Sequence, residues 1–169
     1  MPTKEAVFTA IFFAIVTVSA ISLAISTLNY VDFYRAIEAL SLTVLDVSPS
    51  IGQNSAKIDL TFAIVNPTRY TGLSLREFSY VLYFDADGEL IYVCWRTNSY
   101  REQPLPIGPF SNITFQNSID LDLSQESTKS FIKFYENHTE SVKWALKCNG
   151  IFLTFIGELT VPLNALFFS

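Results

Sequence analysis

Hydrophobic positions follow two regimes along the chain. From Ala6 to Leu28 no residue is charged and none is Pro or Gly, and the uncharged run reaches Val31 before Asp32 closes it. At a rise of about 1.5 Å per residue, a helix over this run covers about 35 Å, enough for the roughly 30 Å hydrocarbon core of a bilayer. The pattern predicts a membrane-spanning helix that meets lipid through residues 6–28. Two other readings compete with it. Ser22-Leu23-Ala24 offers a small-x-small cleavage site, but the preceding region carries only Lys4 and the amino terminus, and the run is longer than the usual apolar stretch of a signal peptide. A buried core helix would have to hide an apolar surface on every side, for which a sandwich-sized domain has no room.

Past the span, Tyr30, Phe33, Tyr34, Ile37 and Leu40 recur at three- and four-residue spacing, with Asp32, Arg35 and Glu38 between them. This predicts an amphipathic continuation, read as a stalk, whose aromatics suit the membrane interface. At Leu40 the period changes to two. Residues 1–39 are therefore read as transmembrane helix and stalk, and residues 40–169 as one β domain.

Within that domain, Leu40, Leu42 and Val44 alternate with polar residues, a bulge is expected near Leu45, and the strand should end at Ser48-Pro49. Ala56 to Ile64 alternates cleanly and stops at Asn66-Pro67, where Pro cannot donate a ladder hydrogen bond. Phe78 to Phe84 is a third strand, turned by Asp87-Gly88 into Leu90 to Trp95. Residues 98–109 read as a loop, and Ile113 to Leu123 as the next strand. Ser124 is a candidate N-cap for a helix over Gln125 to Glu136. Val142 to Cys148 alternates, and Asn149-Gly150 is expected to turn the chain into a last strand from Ile151 to Val161. About seven short strands plus one helix predict an antiparallel β-sandwich.

The domain's length suffices for a proper core. Eleven basic against sixteen acidic residues give a net charge of -5, without the basic footprint of nucleic-acid binding. Fifteen Phe and eight Tyr favour β-structure. Cys94 and Cys148 are the only cysteines; they are read either as a disulfide, suited to an exported domain, or as two buried thiols. The one histidine, His138, has no second His and no Cys cluster beside it. No metal site, cofactor site or catalytic set is expected. Asp85, Asp87 and Glu89 lack the distal Glu of an EF-hand loop and read as a soluble hairpin tip. Asn112-Ile113-Thr114 and Asn137-His138-Thr139 are N-glycosylation sequons. With a weak charge bias at the span, they place the amino terminus in the cytoplasm and the domain outside the cell membrane.

The order of LTVLDVSPS, AKIDLTFAIVNPTRYTGLSLREFSYVLYFDADGELI, PLPIGPFSNITFQNSIDLD and WALKCNGIFLTFIGELTVPL resembles the LEA14-type domain (late embryogenesis abundant group 2, water-stress and hypersensitive-response). The residues that carry this are Asn66-Pro67, the hairpin with Gly88, the Pro106-x-Gly108-Pro109 turn and the segment Gly157 to Pro162. Asn-Pro-Thr stands where typical members read Asn-Pro-Asn. The resemblance spans Leu40 to Leu163. It implies an immunoglobulin- or fibronectin-like sandwich, no catalytic residues and a protective or binding role. Asn66 and Pro67, like Asp87 and Gly88, are read from their own chemistry as structural turn residues.

The expectation is a non-enzymatic, single-pass, membrane-anchored module that binds protein or glycan partners or protects a surface. The alternative is a structural subunit of a filament or membrane assembly, similar in plan to archaeal pilin-like proteins. Its helices would form a homo- or hetero-oligomer through the small residues Ala14, Ser19, Ala20 and Ala24.

Overall fold

The computed structural model describes residues 3–52, 55–86, 88–137 and 143–168. Helix α1 (Lys4–Ala39) opens the chain without a break, capped by Thr3, whose hydroxyl accepts the Ala6 N–H. Eight strands follow: β1 (Ser41–Ile51), β2 (Ala56–Asn66), β3 (Leu73–Ala86), β4 (Glu89–Ser99), β5 (Leu105–Ile107), β6 (Ser111–Leu121), β7 (Lys143–Thr154) and β8 (Gly157–Phe168). Helix α2 (Glu126–Asn137) lies between β6 and β7. The strands make two antiparallel sheets, one ordered β1-β2-β6 and the other β4-β3-β7-β8, with β5 taking the place of β4 beside the start of β3. The mainly β architecture is the one the alternating pattern predicts.

Rings from both sheets meet in the core. Phe62 of β2 lies 5.0 Å from Phe78 of β3 and 5.2 Å from Phe115 of β6, and Phe78 stacks on Phe115 at 5.6 Å. Helix α2 closes the far end through Phe131, which packs on Phe84 at 5.2 Å and Trp144 at 5.7 Å. Rings at these separations, edge-on or offset, add to the stabilisation their burial provides.

Several local expectations change. The bulge falls at Leu45, between Val44 and Asp46, but β1 runs through Pro49 to Ile51. Because β1 is an edge strand, a Pro there need not break the ladder. Asn149-Gly150 is not a turn: β7 is continuous across it, with Gly150 opposite Phe78 and Val161. A Cβ on Gly150 would lie 2.5 Å from the Phe152 ring, so this glycine admits a close approach. The turn comes at Phe155-Ile156, where Gly157 supplies a φ of 113°. Strand β5 lies inside the expected loop. Ser124 does not cap α2; the Lys129 N–H bonds to Gln125 O, and Ser124 instead donates to Asp122. Asp87, Val142 and the His138 and Thr139 of the second sequon lie outside the described residues.

The amphipathic end of α1 touches the sandwich. Phe33 and Ala36 are buried, and Ile37 packs against the core cluster, so the last turns of α1 belong to the sandwich packing. The apolar stretch before them is exposed on all sides, and it is long and apolar enough to cross a membrane.

Candidate functional site

Two regions gather polar chemistry. The first is the loop after β2, where Asn66 is fully buried. Its Oδ1 accepts from the Thr68 N–H at 3.1 Å and from Thr68 Oγ1 at 2.7 Å, while Nδ2 donates to Tyr70 O at 2.9 Å and Gly108 O at 3.0 Å. Each capacity of the amide is used, two as acceptor and two as donor. The side chain joins the β2–β3 loop to the β5–β6 turn and, by placing Tyr70, sets the floor on which α1 docks. Tyr70 meets Phe33 at 5.8 Å, and Arg69 donates through Nε and Nη2 to Asp32 Oδ2 at 3.0 and 2.7 Å. Beside this contact, Ser26, Asn29, Asp32, Arg69, Gly72 and Phe155 line an open cleft of about 480 Å³.

The second region lies where the free edges of β4 and β6 part and α2 crosses between them. Cys94, Arg96, Asp120, Asp122, Gln125 and Thr128 line a cleft of about 250 Å³ there. Ser124 donates to Asp122 Oδ1 from Oγ at 2.7 Å and from its N–H at 2.9 Å, which holds this carboxyl below the usual carboxylate range. Thr128 is 1% exposed, and its hydroxyl has no hydrogen-bond partner. The Tyr80 hydroxyl and Asn117 Nδ2 are likewise buried and unpartnered; they lie near each other without closing a hydrogen bond. Burial raises the Tyr80 pKa, with the neighbouring Cys94 and Cys148 thiols adding to the shift. Unpaired buried polar atoms cost free energy until something meets them; of these three only Thr128 lines the cleft, which through that hydroxyl suits a small polar group or a peptide backbone. Tyr92 and Trp95 stand exposed along the adjoining β4.

Of the two readings of the cysteines, the structure has the buried thiols and not the disulfide: Cys94 and Cys148 are both free and buried. Cys94 on β4 stands opposite Leu82, and Cys148 on β7 stands opposite Tyr80, so β3 runs between them. Two strand spacings are about 9–10 Å, beyond the roughly 7 Å that a disulfide can bridge between Cα atoms. Burial pushes the Cys94 thiol up to about 11 and raises Cys148 further.

Asn112 is exposed at the start of β6 opposite Val65, and Asn137 ends α2 with its Nδ2 on Lys133 O at 2.7 Å. Gly88 has a φ of 96° and donates its N–H to Asp85 Oδ1 at 2.6 Å. Ala14, Ser19, Ala20 and Ala24 all lie on the exposed part of α1. Among the described residues, no three His, Cys, Asp or Glu side chains converge on a point where a metal could sit. The β4–β6 cleft was not legible in the sequence.

No family model matches the chain, and no curated protein matches it. Solved structures show the fold elsewhere. A solution structure from Arabidopsis thaliana has a TM-score of 0.52 at 10% identity, covering 76% of this chain and 79% of that one. A late embryogenesis abundant protein has a TM-score of 0.47 at 13% identity, covering 90% of this chain and 86% of that one. A crystal structure from Archaeoglobus fulgidus has a TM-score of 0.44 at 12% identity, covering 75% of this chain and 96% of that one. At such identities similarity concerns the fold alone, and of the three the Arabidopsis structure carries that inference.

Proposed function

We propose that the protein is a non-enzymatic, single-pass membrane module of LEA14-like type. In this reading α1 anchors it with the amino terminus in the cytoplasm, and the β-sandwich binds protein or glycan partners on the outer side. The observation that carries the reading is α1 itself, which is apolar and exposed on all sides until its last turns enter the sandwich. Its Thr17 and Thr27 hydroxyls donate to Phe13 O and Leu23 O at 2.8 and 2.9 Å, so both are satisfied within the helix. This suits contact with lipid and gives the lipid-facing reading the advantage over a helix-bundled filament. Partners would be met on the β4–β6 side, where free strand edges, exposed aromatics and the unpartnered Thr128 hydroxyl coincide.

Reconstitution into lipid vesicles tests the anchor. The unaltered chain is expected to resist alkaline carbonate extraction. The double variant Ile15→Arg and Val16→Arg places two charges at the centre of the span, each costing about 2.5–3.5 kcal/mol, and is expected in the supernatant with its β circular dichroism unchanged. Extraction of both chains alike would refute the reading.

A further inference from the structure

The β7–β8 turn carries Phe155 and Ile156, 59% and 53% exposed, where turn chemistry favours Gly, Asn, Asp or Ser. The backbone does not require them, because Gly157 supplies the positive φ. In the β5–β6 turn Phe110 is 74% exposed at a φ of 48°, its N–H held by Thr68 O at 2.8 Å. A bulky residue in this conformation is uncommon, and grouped exposed apolar side chains mark contact surfaces.

Both turns lie at the end of the sandwich through which α1 arrives. The Phe155 ring sits 5.0 Å from Phe33 and 6.1 Å from Tyr30, and Phe155 shares the walls of the cleft with Ser26 and Asn29. Along the helix axis these residues lie within about 8 Å of Leu28, where the apolar run ends. The polar layer on each side of a bilayer is about 5–8 Å thick, so a helix that spans with residues 6–28 sets the hairpin tip at that layer. The first charge after the run, Asp32, is already met by Arg69. A bare charge therefore does not separate the tip from lipid there.

We propose that the Phe155-Ile156 tip is a second membrane contact, entering the boundary between headgroups and acyl chains of the leaflet that α1 leaves, with Phe110 facing that surface from the β5–β6 turn. The proposal rests on the reading of α1 as a membrane span. Helix and hairpin together then seat the sandwich on the bilayer, because two attachment points joined by the packing of Phe155 on Tyr30 and Phe33 leave no hinge between them. The contact is hydrophobic in origin and needs no anionic lipid.

The test uses the full chain in phosphatidylcholine nanodiscs, labelled with an environment-sensitive fluorophore at one introduced cysteine. Ile156→Cys probes the tip, Val16→Cys the span, and Glu89→Cys the far end of the sandwich; Cys94 and Cys148 are buried and stay unlabelled. The label on Ile156→Cys is expected to be quenched by lipids brominated near the headgroup and shielded several-fold from aqueous iodide, relative to that on Glu89→Cys. If Val16→Cys reports the bilayer while Ile156→Cys behaves like Glu89→Cys, the seat is overturned and the anchor stands. If Val16→Cys also reports water, the anchor reading fails and the seat with it. Should Ile156→Cys not fold, the same comparison with a label on Phe155→Cys decides.

Discussion

Asn66 shows what one buried amide can hold. It satisfies four partners across two loops, and the Tyr70 it places forms part of the helix dock. Asn66→Ala strands two carbonyls and the Thr68 groups, and is expected to cost about 2–4 kcal/mol in denaturant melts. Asn66→Asp is expected to be no milder, since it turns a carboxylate oxygen toward the Tyr70 and Gly108 carbonyls. The thiols give a second residue-scale prediction. Cys94 is raised by burial from 9.0 to about 11, so above about pH 9 the unfolded chain releases a proton that the folded chain keeps. Stability is full below pH 9 and falls as pH rises toward 11, by up to about 1.4 kcal/mol per pH unit. Denaturant midpoints across this range are expected to drop, and Cys94→Ala to reduce the slope. In the native protein at neutral pH neither thiol is expected to react with a disulfide reagent.

Alternation and turn chemistry made most elements legible, and the failures have physical causes. The period-two runs located β2, β3 and β6 because each buries one face, and Asn66-Pro67 ended β2 where expected. The last hairpin was misplaced because Asn149-Gly150 has turn composition while the Gly is used for the approach of Phe152, and the true turn is apolar. Strand β5 has only three residues and two Pro-containing flanks, too short for periodicity to show. The docking of the last turns of α1 was not legible, because apolar residues at three- and four-residue spacing suit a free amphipathic helix and one packed on Tyr70 and Phe155 equally. Since Gly157 alone permits that turn, Gly157→Ala is expected to cost about 1 kcal/mol or more. Ala at Gly150 is expected to be tolerated only if the Phe152 ring shifts; thermal melts of both variants separate the two roles.

For the whole molecule, the sequence made the division into an apolar helix and a β-sandwich plain, but not how closely the two are joined. That depends on contacts between residues far apart in the chain: Asp32 with Arg69 and Phe33 with Phe155. The β4–β6 cleft is equally a product of topology, assembled from Cys94 and Arg96 on one sheet and Asp120 at the edge of the other, residues far apart in the chain. In the proposed reading α1 stays on the chain and holds it in the bilayer. Its most direct test is the intact mass of the chain left in the pellet after native membranes are washed with alkaline carbonate. A pelleted chain whose mass includes residues 6–28 is expected. Release of the chain into the wash, or a pelleted mass that begins after Ala24, would contradict it.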